Sequence, residues 1–285
     1  MKNLHTLAAS ALIFTAAFLL PHTSLHAQPD SLKLAPLDSL MNRYYEAMMP
    51  MLNAEKAAEC DFLIESCADS LTRRHVALFL FDKYRNSNLM GEEEVAIYLY
   101  DKWFATKKIA MRSEFDELDA DIFVRFNRNT LIGDKAPAVT LRKTCLGKKT
   151  IPETGTSHLL FFYDVSCAKC RYESALLPSA LAAVDFPLVL DAVYTGTSRK
   201  EWREFRKTFK LSCPFVTVRH FWDPGMDSNY QLLYGVISTP KMYMTEPSGS
   251  IIGRRLECES LAALLPYAAV LDKLYRESSK DLHIK

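Results

Sequence analysis

The sequence predicts an α/β domain, a mixed central sheet flanked by helices, preceded by a small all-α domain. Three observations carry this. From about Asp30 to Asn129 apolar residues recur at helical spacing. Beyond Gly133, short apolar runs of strand character alternate with segments of helical period. Near the end, two strand-like runs flank Pro247-Ser248-Gly249 and a last helical stretch follows. At 285 residues, 49% of them hydrophobic, the chain can fill two packed cores at ~100–200 residues per domain.

The first 27 residues stand apart. Lys2 precedes an uncharged run from Leu7 to Leu20, Pro21 breaks it, and a polar stretch leads to the small residue Ala27. This is the layout of a secretory signal peptide cut after Ala27. The run is short for a spanning helix, which needs ~20 apolar residues. The expectation is an exported, periplasmic protein with no stable membrane insertion, divided into a signal peptide at 1–27, a helical domain at 28–129 and an α/β domain at 130–285.

Within the helical part, Leu37, Leu40, Met41, Tyr44, Tyr45 and Met48 form one apolar stripe that Pro50 interrupts. Further helical stretches run Ala54–Ala68, Leu71–Tyr84 and Glu92–Lys107, the last opening with acidic residues where the helix dipole favours them. In the α/β part the predicted strands are Ala138–Leu141, His158–Tyr163, Leu188–Tyr194 and Phe215–Phe221, with a hairpin of Lys241–Thr245 and Ser250–Arg255. Helices are predicted at Cys167–Ala183, Ser198–Phe209 and Ser260–Tyr275. With 35 Lys+Arg against 34 Asp+Glu the net charge is +1, so no overall basic field draws the protein to nucleic acid or to an anionic membrane.

Seven cysteines occupy positions 60, 67, 145, 167, 170, 213 and 258, an odd number. On one helix Cys60 and Cys67 would lie ~10 Å apart, too far to bridge, and they read as core thiols. Cys145, Cys213 and Cys258 are isolated. Cys167-Ala168-Lys169-Cys170 differs, because it follows a buried strand and opens a predicted helix. Residues i and i+3 of a first turn are ~5–6 Å apart, which suits a disulfide. The first sulfur would meet unsatisfied helix N–H groups, which favour a thiolate, and the second could resolve a mixed disulfide. Three plainer readings compete. Half a zinc site would need a second ligand pair, and none follows at ligand spacing. A static disulfide closing so small a loop would stabilise little. Two inert core thiols sit poorly with the strand-to-helix position.

From about Leu131 onward the sequence resembles the thioredoxin-like superfamily, and within it the exported TlpA/ResA-type thiol–disulfide oxidoreductases. The resemblance rests on Ile132-Gly133-Asp134-Lys135-Ala136-Pro137, on Leu159–Tyr163 running into Cys167–Cys170, on Ser238-Thr239-Pro240, and on Glu246–Ile252. It implies a thioredoxin-like fold and dithiol–disulfide exchange on protein substrates, with reduction favoured over oxidation. Cys167 would attack and Cys170 resolve, forming the redox-active disulfide. Pro240 would be cis and, with Thr239, seat the substrate, and Glu173 would assist at Cys170. The plain reading of Glu173 is a solvated first-turn carboxylate. No cofactor and no metal is implied, and the partners would be a protein disulfide or dithiol and a separate redox partner.

Ser166 stands where the family has an aromatic residue, and Ala168-Lys169 matches neither the usual reductase nor the oxidase dipeptide. The entry motif is shared with peroxiredoxins, but the Thr or Ser and the Pro that peroxidase chemistry needs are replaced by Asp164 and Leu160. Copper delivery would need a His beside the Cys pair, and His220 lies in a strand-like stretch far along the chain. The alternative function is a redox-inactive thioredoxin-like scaffold acting through its helical domain.

Overall fold

The computed structural model describes residues 30–143 and 147–282. The expected signal peptide and Cys145 lie outside the described residues. The chain divides into two compact units, one ending at Met49 and one running from Pro50 to Lys285. In the first, helix α1 (Asp30–Met48) stops before Pro50, which cannot continue it.

The second unit begins with helices α2 (Asn53–Glu65), α3 (Ser70–Arg85), α4 (Glu93–Leu99) and α5 (Glu114–Asn127). The predicted helix Glu92–Lys107 is only partly regular: after Leu99 it widens into a π-turn over Tyr100–Phe104, closed by Ala105 N donating to Tyr100 O at 2.8 Å. Asp69 and Ser113 cap α3 and α5 by accepting from Thr72 N and Asp116 N.

The sheet has seven strands, β1 (Val139–Arg142), β2 (Lys148–Ile151), β3 (Ser157–Tyr163), β4 (Leu188–Tyr194), β5 (Val216–Trp222), β6 (Lys241–Thr245) and β7 (Ile251–Arg254), in the order β2-β1-β5-β4-β3-β6-β7. β3, β4 and β5 are parallel, and β1, β2, β6 and β7 join antiparallel. The interleaved helices are α6 (Ala168–Ala180), α7 (Arg199–Thr208), the short α8 (Tyr230–Leu233) and α9 (Cys258–Leu282). Every residue of β3 is buried, as both faces of a central strand require when helices cover them. Leu159, Phe161 and Tyr163 pack with α6 and α9 on one face, while Leu160 and Phe162 pack with Tyr230 and Tyr234 on the other.

That second face also carries a buried polar group. His158 Nδ1 lies 2.7 Å from Asp191 Oδ2, and Arg219 reaches Asp191 Oδ1 at 2.6 Å and Glu153 Oε2 at 2.5 Å. Glu153 N donates to His158 Nε2 at 3.3 Å, so the ring proton belongs on Nδ1, facing Asp191. The strands β3, β4 and β5 are thereby tied to the segment after β2.

The helices fasten to the hairpin through charge. Arg255 Nε meets Glu93 Oε1 at 2.7 Å, and the fully buried Arg254 donates to Asn127 Oδ1 at 2.6 Å. Closer still, Gly235 sits at φ +56°, where an added Cβ would stand 2.0 Å from the Phe126 carbonyl oxygen. Only glycine fits there. Among the described residues no helix is long and apolar enough to cross a membrane.

Candidate active site

β3 delivers the chain to the carboxyl edge of the sheet at Tyr163. Asp164 then makes a tight turn, its Oδ1 accepting from Ser166 N at 2.7 Å and Ser166 Oγ at 2.6 Å. Arg171, in the first turns of α6, reaches back to donate to the carbonyls of Val165 and Ser166 at 3.0 and 2.9 Å. The three residues before Cys167 are thus held from both ends.

Cys167 is the N-cap of α6, with φ −75° and ψ 122°, and its sulfur accepts from Cys170 N at 3.3 Å. This is the position serine fills in α5 and α7. The predicted helix Cys167–Ala183 is therefore shortened at both ends, and its first cysteine stands before the helix as a cap. Cys167 is half-buried, whereas Cys170 is 1% exposed beneath it. Asp164 N donates to Cys170 Sγ at 3.4 Å. Both are free thiols.

The two sulfurs differ in acidity for reasons visible in this geometry. Burial works against the Cys167 thiolate, but hydrogen bonds from the Cys170 thiol and N–H, and from Thr239 and Lys169, outweigh it and bring the group below the ordinary cysteine value. Burial pushes Cys170 up to about 11, against a smaller opposing contribution from Asp164 N–H. A nucleophile above and a protonated thiol below is the division of labour that thiol exchange needs.

Facing the pair is the start of β6. The Thr239–Pro240 peptide is cis, as is Ile151–Pro152, which the sequence reading did not single out. Cys167 Sγ donates to the Thr239 carbonyl at 3.3 Å. Cys167, Cys170 and Thr239 therefore meet, with Pro240 adjoining. Glu173 is placed differently from a solvated first-turn carboxylate. It is 3% exposed, and its Oε2 accepts from Cys258 N at 2.8 Å, capping the first residue of α9. No hydrogen bond joins it to either cysteine among the described residues. Cys258 in turn donates to the Glu173 carbonyl at 3.4 Å, and burial, then Glu173, pushes that thiol up. Lys169, between the two cysteines, pairs with Glu257, one residue before α9.

Asp164 and Glu257 carry no sequence-based expectation, whereas Lys169 and Arg171 are expected to add positive charge near Cys167; Arg171 instead donates to the Val165 and Ser166 carbonyls and Lys169 pairs with Glu257. Glu257 had no legible signal, because 88 residues separate it from Lys169. Cys60, Cys67 and Cys213 are free and buried. Among the described residues no group of three or more His, Cys, Asp or Glu could hold a metal ion.

No family model and no curated protein matches the chain. Among solved structures, a thioredoxin-like protein from Bacteroides caccae superposes with a TM-score of 0.59 at 16% identity, covering 81% of this chain and 83% of its own. The thioredoxin domain of a thiol-disulfide oxidoreductase from Bacteroides vulgatus matches 48% of this chain and 96% of its own, at 19% identity and a TM-score of 0.42. A putative thiol:disulfide interchange protein from Chlorobium tepidum matches 49% of this chain and 98% of its own, at 22% identity and a TM-score of 0.38. The fold is thioredoxin-like, a mixed sheet with flanking helices preceded by a helical region.

Proposed function

We propose that the protein is an extracytoplasmic dithiol–disulfide exchanger acting as a reductase on protein substrates. One observation carries the reading: Cys167 caps α6 with its sulfur half-exposed, while Cys170 waits protonated beneath it. The Cys167 thiolate attacks one sulfur of a substrate disulfide, forming a mixed disulfide and releasing the other substrate sulfur as a thiolate. Cys170 then loses its proton and attacks Cys167 Sγ. The second substrate thiol leaves, the Cys167–Cys170 disulfide forms, and two electrons have passed to the substrate. A separate dithiol partner returns them.

Ionisation of Cys167 removes the proton that the Thr239 carbonyl accepts. That carbonyl is then available to a substrate backbone N–H beside the cis-Pro240, a short strand addition. Glu173 is assigned first as a positioning residue, tying the Cys helix to α9, with proton transfer at Cys170 as a second role to be tested. Export and periplasmic residence rest on the signal-like residues 1–27.

The test is the midpoint potential of the Cys167–Cys170 couple, measured by equilibrating the protein in graded thiol–disulfide buffers. A reversible two-electron transition is expected, at a value near the reducing members of the fold. A couple that stays dithiol throughout, or a Cys167→Ser variant that still reduces insulin, would overturn the assignment.

A further inference from the structure

α7 carries five basic and two acidic side chains in ten residues, a net +3 in a chain whose total is +1. Its apolar side is committed inward: Trp202 is 2% exposed and stacks on Trp222, and Phe205 packs against Tyr163 with ring centroids 4.1 Å apart. The outward side holds Lys200, Arg203 and Lys207 at i, i+3 and i+7, with the exposed Glu204 one turn along from Lys200, a row of net +2. Several other cations find carboxylates, among them Arg85 with Asp119 and Arg125 with Asp121. None of the three in the row does so among the described residues. Glu201, on the same helix, is taken by the Tyr194 hydroxyl at 2.6 Å.

The place of this helix matters as much as its charge. β3 and β4 are parallel neighbours with Tyr163 opposite Tyr194, so the segment leaving β4 emerges beside the one that leads to Cys167. Thr195 N and Oγ1 both donate to the Tyr163 carbonyl, at 2.9 and 3.1 Å. Ser198 then caps α7. The helix starts at the carboxyl edge where the Cys pair sits and runs back toward the start of β5. Lys200 is therefore nearest the redox site and Lys207 farthest, about 10 Å further along the axis, the span of roughly three extended residues.

We infer that the outer row of α7 is a docking strip for an acidic segment of the polypeptide whose disulfide the Cys pair reduces. The inference rests on the exchange function proposed above and names its substrate class: proteins bearing Asp or Glu on one side of the reactive cysteine. Such a row steers an oppositely charged chain toward Cys167 and acts mostly on the association rate. A nucleic acid or an anionic membrane would meet the same charges. A polypeptide is favoured because the helix carrying the row starts at the sheet edge that holds the Cys pair, and because the apolar side of α7, which a membrane would need, is buried in the core.

The experiment uses short peptides with one cysteine activated as a mixed disulfide, flanked on one side by glutamates or, at the same positions, by lysines. Capture by Cys167 in a Cys170→Ser variant is followed at low and high salt. The acidic peptide should react about tenfold faster at low ionic strength, the advantage shrinking to within about twofold near 0.5 M salt. Lys200→Glu should remove more of it than Lys207→Glu, and the triple Lys200→Glu/Arg203→Glu/Lys207→Glu should reverse the preference. Reduction of the neutral 2-hydroxyethyl disulfide by the otherwise wild-type triple variant should be unchanged, which separates the strip from the Cys chemistry. Equal rates for the two peptides would overturn the inference while leaving the exchange function standing. Capture of neither peptide would overturn the exchange function. In that case fluorescence anisotropy of a cysteine-free acidic peptide still reads the strip, and absence of binding there would refute it. Binding to single-stranded DNA or to phosphatidylglycerol vesicles in preference to the acidic peptide would also refute it.

Discussion

His220 offers a stability experiment whose size follows from its surroundings. It stands on β5 facing the edges of Phe205 and Phe209, with ring centroids 6.0 and 6.2 Å away, and its buried Nδ1 has no hydrogen-bond partner among the described residues. Burial, and then the Arg206 charge, push it from 6.5 down to about 4. Above pH 6.5 the ring is neutral in both the folded and unfolded chain and exerts no pH effect. As pH falls below 6.5 the unfolded chain binds a proton that the folded chain refuses, so stability falls until the folded ring titrates near 4. At about 1.4 kcal/mol per unit, that window amounts to about 3 kcal/mol. Urea unfolding of the wild type and His220→Phe from pH 7 to pH 4 measures it. Carboxylates add an acid slope common to both proteins, so the informative quantity is the difference, which should grow by about 3 kcal/mol in favour of the phenylalanine variant. Parallel curves would mean that the folded protein protonates the ring as readily as the unfolded chain does, which would refute the reasoning.

Three further predictions concern the site and its supports. Iodoacetamide should modify Cys167 with a titration below the ordinary cysteine range and Cys170 only as pH approaches about 11; mass mapping that finds Cys170 reacting first would contradict the assigned roles. Gly235→Ala places a Cβ against the Phe126 carbonyl at positive φ, and should cost about 3 kcal/mol or more in chemical denaturation; a loss under about 1 kcal/mol would show that α5 and this loop part easily. Glu173→Gln keeps an acceptor for Cys258 N but removes the charge, so stability should drop by about 1 kcal/mol or less. If the exchange rate and its pH profile are also unchanged, Glu173 only positions.

What was legible in the sequence follows from how local its cause is. His158–Tyr163 and Leu188–Tyr194 are central strands covered on both faces, so they read as unbroken apolar runs. Lys148–Ile151 is an edge strand with Ile151 its only buried residue, and nothing in Lys-Lys-Thr-Ile announces it. Helix α5 hides because Phe115, Leu118 and Ile122 are exposed, at 77%, 57% and 39%, which blurs the apolar period. The Cys pair was legible because its two residues share one helical turn. The Asp191–Arg219–Glu153–His158 group was not, since the Asp191 and Arg219 contacts span 28 to 66 residues and form only when the strands pair. Glu173 shows the same limit: its spacing from Cys170 was visible, and the α9 N–H it satisfies was not.

The unequal exposure of the thiols makes the fold its own guard against wrong pairing. Cys60, Cys67, Cys170, Cys213 and Cys258 are all buried, and Cys167 alone among the described cysteines reaches solvent. Among the described cysteines, a maleimide dye in excess should therefore find one fast sulfur, with slower labelling of the other five acting as a clock for opening of the core. In an oxidising medium that same opening would release thiols able to cross-link in combinations the native fold forbids. Lifetime at elevated temperature should then depend on the oxidant present as well as on the heat, and a reductant should lengthen it.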